Sequence, residues 1–476
     1  MFLIGDIVDE KCVRFSNKVE IIGYASDYDY DYDYDYDYVD WRITKCLNKF
    51  DDLIDDANLD AKSYQRDGVK WILEKEVLKG CGGFVADEMG LGKTIMLIGV
   101  IMSNLLERTL IVVPCVLVEQ WAAQIYRITG KKAFIYDGYT PYTNACTCGN
   151  IVIVTYSKLR YKGLHMIKWN RIIFDEGHHL RNKSTIRFRA ALHLKSPIKW
   201  IVSGTPIQNG INDFRNLCQI TGSKDILRRT KKDVGLVLPE VHDELVLVQW
   251  RSREEELICN EINSGLKFSV SCDSNMSSNF GSALRDDSYG CVLPLYLRAK
   301  QSCILPKMMV NKAKSMVRRG LIDASYLDGL NSTSKMDAVV DKIVERSDNG
   351  CGKLVFCNFR EEIDMFHARL TGAGLAVGII DGRSDKKEVL KGKYDVLLLQ
   401  ILTCCEGINL QENYSEIYFV SAHWNPSVED QAVARCHRIG QRKPVYVFRF
   451  QMVGTNLESY IGIVQENKRA IASEVL

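Results

Sequence analysis

The sequence predicts an α/β protein of two lobes with parallel sheets, joined by a basic middle and preceded by a disordered acidic arm. Three observations carry this expectation. Short runs rich in Ile and Val alternate with stretches of helical spacing, the pattern of strands covered on both faces of a parallel sheet. That rhythm stops over residues 246–335 and then resumes. The chain has 476 residues, 46% hydrophobic and 26% charged, which are globular proportions with apolar material for more than one core.

Residues 1–58 read as the arm. Residues 1–60 carry a net charge of −10, and residues 27–38 are six consecutive Asp-Tyr dipeptides. Alternation of this kind fits a strand, but like charges at every second position repel, so the tract is expected to be unfolded. The net charge of +2 for the whole chain is therefore −10 here and +12 elsewhere, and a nucleic-acid role belongs to the later part.

Lobe one is expected over 59–245. A helix from Ala61 to Leu78 places Val69, Ile72, Leu73 and Val77 at helical spacing. Phe84-Val85-Ala86 is a short buried strand, followed by a glycine turn and a helix from Thr94 to Leu106. Further strands are predicted at Leu110–Val113, Ile151–Val154, Arg171–Phe174 and Trp200–Val202. Residues 246–335 form a basic, partly helical inter-lobe region. Ser269–Gly290 is polar, and Arg298–Arg319 holds seven basic and no acidic residues. Lobe two spans 336–468, with strands at Lys353–Cys357, Val377–Ile380, Val396–Ile401, Ile417–Val420 and Val445–Phe450, and 469–476 is a tail.

The 16 cysteines are scattered and contain no CxxC pair, the nearest approach being Cys146-Thr-Cys148, so no zinc module is expected. Reduced thiols in an intracellular, soluble protein are the plain reading. The start of the chain lacks a basic region and a long apolar core, and no run of 18 apolar residues exists, so neither a secretory signal nor a membrane span is expected.

Asp87-Glu88-Met89-Gly90-Leu91-Gly92-Lys93-Thr94 follows a strand and opens a helix, which is the setting of a phosphate-binding loop. Gly90 and Gly92 let backbone N–H groups turn toward phosphates, and Lys93 reaches the β- and γ-phosphates. Asp87 stands where the usual string has its first glycine. Arg171-Ile-Ile-Phe-Asp175-Glu176-Gly177-His178 is an apolar strand ending in two acids. Asp175 suits a magnesium ion and Glu176 suits activation of the attacking water. In lobe two, Gln431, Arg435 and Arg438 are spaced to share one helical face, and the two arginines suit fingers aimed at a γ-phosphate. An NTPase follows from the three together.

These segments resemble the Swi/Snf-like DNA-dependent ATPases of helicase superfamily two, motors that translocate on double-stranded DNA. The matching segments are DEMGLGKT (87–94), IVVPCVLVEQW (111–121), DEGHHLRN (175–182) and SGTPIQN (203–209), then LRRTKKDV (227–234), EGINLQ (406–411), HWNP (423–426) and QAVARCHRIGQ (431–441). The resemblance covers residues 59–468 and implies two RecA-like lobes with ATP in the cleft between them. It implies that Gln65 contacts adenine and that Thr94 joins Asp175 on magnesium. It also implies that Ser203 and Thr205 couple nucleotide state to lobe movement, that Gly407 and Asn409 lie near the nucleotide–DNA interface, and that Thr455–Lys468 braces the lobes. Cys404-Cys405 replace two glycines usual in the family. ATP and magnesium are the expected cofactors, and Gln431 joins the expected nucleotide-binding set. Double-stranded DNA is the expected partner, with RNA as an alternative, in the nucleus or another DNA-containing compartment. Arg298–Arg319 and Arg228-Arg229-Thr-Lys231-Lys232 are candidate DNA contacts. A strand-separating DNA or RNA helicase is the alternative function, and a non-hydrolytic nucleic-acid-binding scaffold the remaining one.

Overall fold

Strands made almost entirely of Ile, Val, Leu and Phe must be covered on both faces, and the chain does this twice. The computed structural model describes residues 36–138, 150–264, 266, 280–287, 292–404 and 408–475. The Asp-Tyr repeat as far as Asp35, Cys146 and Cys148, most of Ser269–Gly290, Cys405 and Gly407 lie outside the described residues.

The first sheet is built from β1 (Gly83–Val85), β2 (Thr109–Val113), β3 (Phe134–Ile135), β4 (Ile151–Thr155), β5 (Arg171–Asp175), β6 (Ile198–Val202) and β7 (Ile226–Leu227). All pairs are parallel, in the order β3-β4-β2-β5-β6-β1-β7. Alternate residues face opposite ways: Ile111 and Val113 join one apolar cluster, Leu110 and Val112 the other. The first cluster takes its cover from helices α1 (Tyr36–Asp56), α2 (Ser63–Leu78), α3 (Lys93–Ser103) and α4 (Val118–Thr129).

Helix α1 corrects the expectation of a disordered arm through residue 58. Ile43, Leu47, Phe50 and Ile54 recur at helical spacing beneath the acidic background and are buried on lobe one. Each such side chain contributes about 1.5–3 kcal/mol by leaving water. Phe50 lies so close to α3 that a Cβ on Gly99 would collide with its ring. Arg66 forks onto Asp51 at 2.9 and 3.1 Å, joining α2 to α1. Behind α2, fully buried Glu76 accepts from Arg171 Nε (2.7 Å), Trp200 Nε1 (2.9 Å) and Asn104 Nδ2 (2.9 Å). Removing Glu76 would strand the Arg171 charge, at about 3–5 kcal/mol.

The second sheet contains β8 (Val241–Val248), β9 (Gly352–Cys357), β10 (Val377–Ile380), β11 (Val396–Gln400), β12 (Tyr414–Phe419) and β13 (Val445–Met452). These are also parallel, in the order β10-β11-β9-β12-β13-β8. Strand β8 falls where the sequence places the end of lobe one, yet it pairs with β13 across its whole length. Its exposed polar face hides the alternation that marks a core strand: His242, Asp243 and Glu244 are exposed.

Residues between the lobes are helical and have an apolar cluster of their own. Ile258, Phe280, Leu295 and Met316 pack there with Leu457 and Ile461 of the C-terminal helix Asn456–Val475. That helix is held at its start by a buried pair between Glu458 and Lys335, and Glu458 Oε2 also accepts from Met452 N at 2.7 Å. It runs on to pack against the lobe-one helix Ile211–Thr221. No described helix is long and apolar enough to cross a membrane.

Candidate nucleotide site between the lobes

The loop after β1 needs a backbone that side chains resist. Gly90 (φ 94°) and Gly92 (φ 81°) occupy the left-handed region, where a Cβ is strained, and Gly92 caps α3. Lys93, the first residue of α3, folds back so that Nζ donates to Asp87 O (2.7 Å) and Glu88 O (3.2 Å). Burial lowers its pKa, against the charges of Glu176, Asp87 and Asp175.

Asp87, the residue in place of a glycine, is fully buried and clamped by Arg229. Nε meets Oδ1 at 3.1 Å and Nη2 meets Oδ2 at 2.5 Å, while Nη1 donates to Tyr64 O at 2.5 Å. Arg228 donates to Ala86 O (2.6 Å) and Gly204 O (2.9 Å). Lys231 pairs with Glu88 at 3.0 Å and reaches His437 O of lobe two at 3.2 Å. The expected DNA contact by Arg228, Arg229 and Lys231 is thereby corrected: Arg229 is committed to Asp87 and Tyr64, Lys231 to Glu88 and His437, and Arg228 Nη1 to Ala86 and Gly204. Part of the second basic run is also internal, since buried Lys300 donates to Asn358 Oδ1 and Ala422 O, both at 3.0 Å.

Gln65 is buried beside the loop. Its Oε1 accepts from Lys62 N at 3.0 Å and its Nε2 donates to Leu91 O at 3.0 Å. It is close enough that a Cβ on Gly92 would collide with its amide.

Strand β5 delivers the two acids. Asp175 Oδ2 accepts from Trp121 Nε1 at 2.7 Å and Oδ1 from Glu176 N at 3.0 Å. Burial and the Glu176 charge push Asp175 up to about 7, against those two hydrogen bonds. Burial alone would also raise Glu176, but the His178 hydrogen bond and the charges of His178, Lys93 and Arg435 outweigh it and hold the carboxyl at about 2. Glu176 has φ 50°, unusual for a side chain of its size and a form of strain concentrated at functional sites. His178 Nδ1 lies 3.3 Å from both Glu176 Oε2 and Ser203 Oγ, and Ser203 Oγ accepts from Thr205 N at 3.2 Å. His178 therefore stands in contact with both Glu176 and the Ser203–Thr205 segment.

Lobe two reaches this site from turns. The helix predicted to carry Gln431, Arg435 and Arg438 on one face is Pro426–Val433, and it ends before the arginines. Tightened turns follow, with Arg435 N bonded to Ala432 O and Cys436 N to Val433 O. The arginines still arrive. Arg435 lies close enough to lower the Glu176 pKa. A Cβ on Gly90 would sit 3.5 Å from Arg438 Cβ. Arg438 Nη1 donates to Asn409 Oδ1, while buried Arg438 Nε and Gln431 Nε2 have no hydrogen-bond partner among the described residues.

Among the described residues no group of three or more His, Cys, Asp or Glu could hold a metal unaided. Thr94 and Asp175 offer one hydroxyl and one carboxylate, a set that fits magnesium held mainly by phosphate oxygens. A cation there would also relieve the crowding of two adjoining carboxyls. Trp121 had no role in the sequence-based expectations and Arg229 only that of a DNA contact; both lie in matching segments, but only folding brings them onto Asp175 and Asp87.

Comparison with known proteins matches both lobes of the chain to known families. The SNF2-related domain family matches residues 64–225, and the helicase conserved C-terminal domain family matches 334–440. An uncharacterized ATP-dependent helicase of Mycoplasma pneumoniae is 28% identical over 87% of this chain and 42% of its own length. The ATP-dependent DNA helicase DDM1 of Arabidopsis thaliana is 26% identical over 82% of this chain and 58% of its own length. The chain thus spans about half the length of these two relatives. A probable global transactivator of Orgyia pseudotsugata multicapsid polyhedrosis virus is 26% identical over 87% of this chain and 90% of its own length. The helicase domain of Pyrococcus furiosus Hef shares the fold, with a TM-score of 0.58 at 17% identity, over 84% of this chain and 97% of that one.

Proposed function

Because the chain belongs to the SNF2-related family of ATP-dependent helicases, we propose that it is a motor that hydrolyses ATP to translocate on double-stranded DNA and to remodel or displace what is bound there. The observation that carries this reading is the convergence of Arg435 and Arg438, from lobe two, on Glu176 and the phosphate loop of lobe one.

Lys93 exchanges the carbonyls of Asp87 and Glu88 for the β- and γ-phosphates, and Gly90 and Gly92 turn backbone amides toward them. Gln65 stands at the adenine end. Thr94 and Asp175 are the residues to hold magnesium, whose charge offsets that of the phosphates. Glu176, held ionised, orients the attacking water and takes its proton. Arg435 and Arg438 complete the charge stabilisation only while the lobes are closed, with Gln431 beside them. The Glu176–His178–Ser203 contacts give the nucleotide state a route to the lobe interface. One closing and reopening per ATP moves one lobe along the duplex relative to the other.

An inter-lobe groove of about 480 Å³, in which Lys158, Lys386 and Lys387 stand among apolar residues such as Val116, Ile135 and Leu390, supports a track for a phosphate backbone through its three lysines. Such a motor works in a DNA-containing compartment. The test is ATP turnover with duplex DNA, single-stranded DNA and RNA, paired with strand displacement. Stimulation by duplex without displacement is expected. Equal stimulation by single-stranded RNA would overturn the duplex assignment, and displacement would replace translocation by strand separation.

A further inference from the structure

Two aromatic side chains that the hydrolysis scheme does not use converge on Asp175. Trp121 is buried in α4, and its Nε1 donates to Asp175 Oδ2 at 2.7 Å. Tyr156 is buried just after β4, and its OH donates to Asp175 O at 2.7 Å. Residues near them in sequence line the inter-lobe groove: Glu119 and Gln120 precede Trp121, Thr155 precedes Tyr156, and Lys158 follows two residues later. Both segments therefore touch the groove as well as Asp175.

The groove side is not fully satisfied. Gln120 Oε1 is buried and has no hydrogen-bond partner among the described residues. Glu119 is paired across the groove with Lys387 of lobe two at 2.5 Å, through side chains that are both exposed. A phosphate backbone entering the groove would compete with Glu119 for Lys387 and so release the first turn of α4 from that pairing. Any shift of that turn carries the Trp121 indole with it. A hydrogen bond of 2.7 Å weakens steeply when its angle or length changes.

Resting on the nucleic-acid-dependent reading above, we propose that Trp121 and Tyr156 are positioning residues through which duplex DNA in the groove sets the Asp175 carboxylate for magnesium and nucleotide. They touch neither substrate nor metal and act through Asp175. The link is short: one side chain spans from each groove segment to the acid.

The test uses the full chain and the variants Trp121→Phe and Tyr156→Phe; the second keeps its ring and loses only the hydroxyl, while the first keeps an aromatic ring in place of the indole and loses the N–H donor. Binding of Mg·ADP is measured by calorimetry with and without a short duplex, and duplex binding by fluorescence anisotropy. Duplex is expected to tighten Mg·ADP binding to the native chain. Trp121→Phe should lose about tenfold of that tightening, the scale of one hydrogen bond to a charged group, and Tyr156→Phe about fivefold, the scale of a bond to the neutral Asp175 carbonyl, while affinity for duplex is retained in both. Variants that keep the full tightening overturn the proposal. So do variants that bind Mg·ADP more weakly by the same factor with and without duplex, since that marks a merely structural role. A native chain whose turnover rises with duplex while its Mg·ADP affinity stays fixed overturns the coupling and leaves the motor reading standing. A native chain indifferent to duplex in both measurements overturns the motor reading itself.

Discussion

The two lobes commit their nucleotide-facing side chains in opposite ways. In lobe one almost every such group is already bonded within the lobe: Asp87 to Arg229, Gln65 to Leu91, Lys93 to the loop carbonyls and Asp175 to Trp121. In lobe two Gln431 lies in a short helix and the arginines on the turns after it; Arg435 Nε donates to Gln431 O, while Gln431 Nε2 and Arg438 Nε are buried without partners among the described residues. Lobe one holds a preorganised cradle, while lobe two holds groups whose partners arrive with the ligand. Buried, unsatisfied donors are costly, so a nucleotide that satisfies them favours the closed arrangement.

The largest effect should come from the lobe-two side. Arg435→Ala is expected to lower turnover at saturating ATP by about 10³–10⁵-fold, the range of arginine fingers, with nucleotide binding by calorimetry largely kept. A loss below about tenfold would remove Arg435 from the hydrolysis step. On the lobe-one side, Glu176→Gln should cost about 10²–10⁴-fold in turnover, as general-base losses do. Near-normal turnover in a single-turnover assay would exclude Glu176 as the base.

Breaking the cradle should show in stability before chemistry. Arg229→Ala leaves Asp87 buried without its clamp and should lower unfolding stability by about 3–5 kcal/mol in a denaturant titration. An unchanged midpoint would mean that the Asp87–Arg229 pair does not hold the loop. The smallest effect is expected at the groove rim. Glu119→Gln removes the pairing of two exposed side chains with Lys387 and should leave the melting temperature unchanged. A clear drop would show that this contact helps to hold the lobes together.

Much of the site is legible in the sequence because its chemistry is local. DEMGLGKT and DEGH each pack their functional residues into a few consecutive positions after an apolar strand, and a strand-to-turn junction fixes their direction. The rest depends on distance in the fold. Asp87 reads as a flaw in the loop until Arg229, 142 residues later, is seen to clamp it. LRRTKKDV reads as a basic surface, yet Arg228 and Arg229 donate to Ala86, Gly204, Tyr64 and Asp87. Helix α1 reads as part of an acidic arm because Asp51, Asp52, Asp55 and Asp56 mask the stripe that Phe50 and Ile54 complete.

The sequence by itself determined the two-lobe α/β class and most of the strands, and it marked the residues proposed for the phosphate loop. Those features follow from periodicity and from chemistry compressed into short motifs. Only the tertiary structure decided that β8 belongs to the second sheet, that the inter-lobe region packs a helical core, and that the arginines reach the site from turns rather than a helix face. It also placed Trp121 and Tyr156 on Asp175. Charge and composition carry no record of which partner a basic or aromatic side chain will meet, because that is set by which strands and helices pack together.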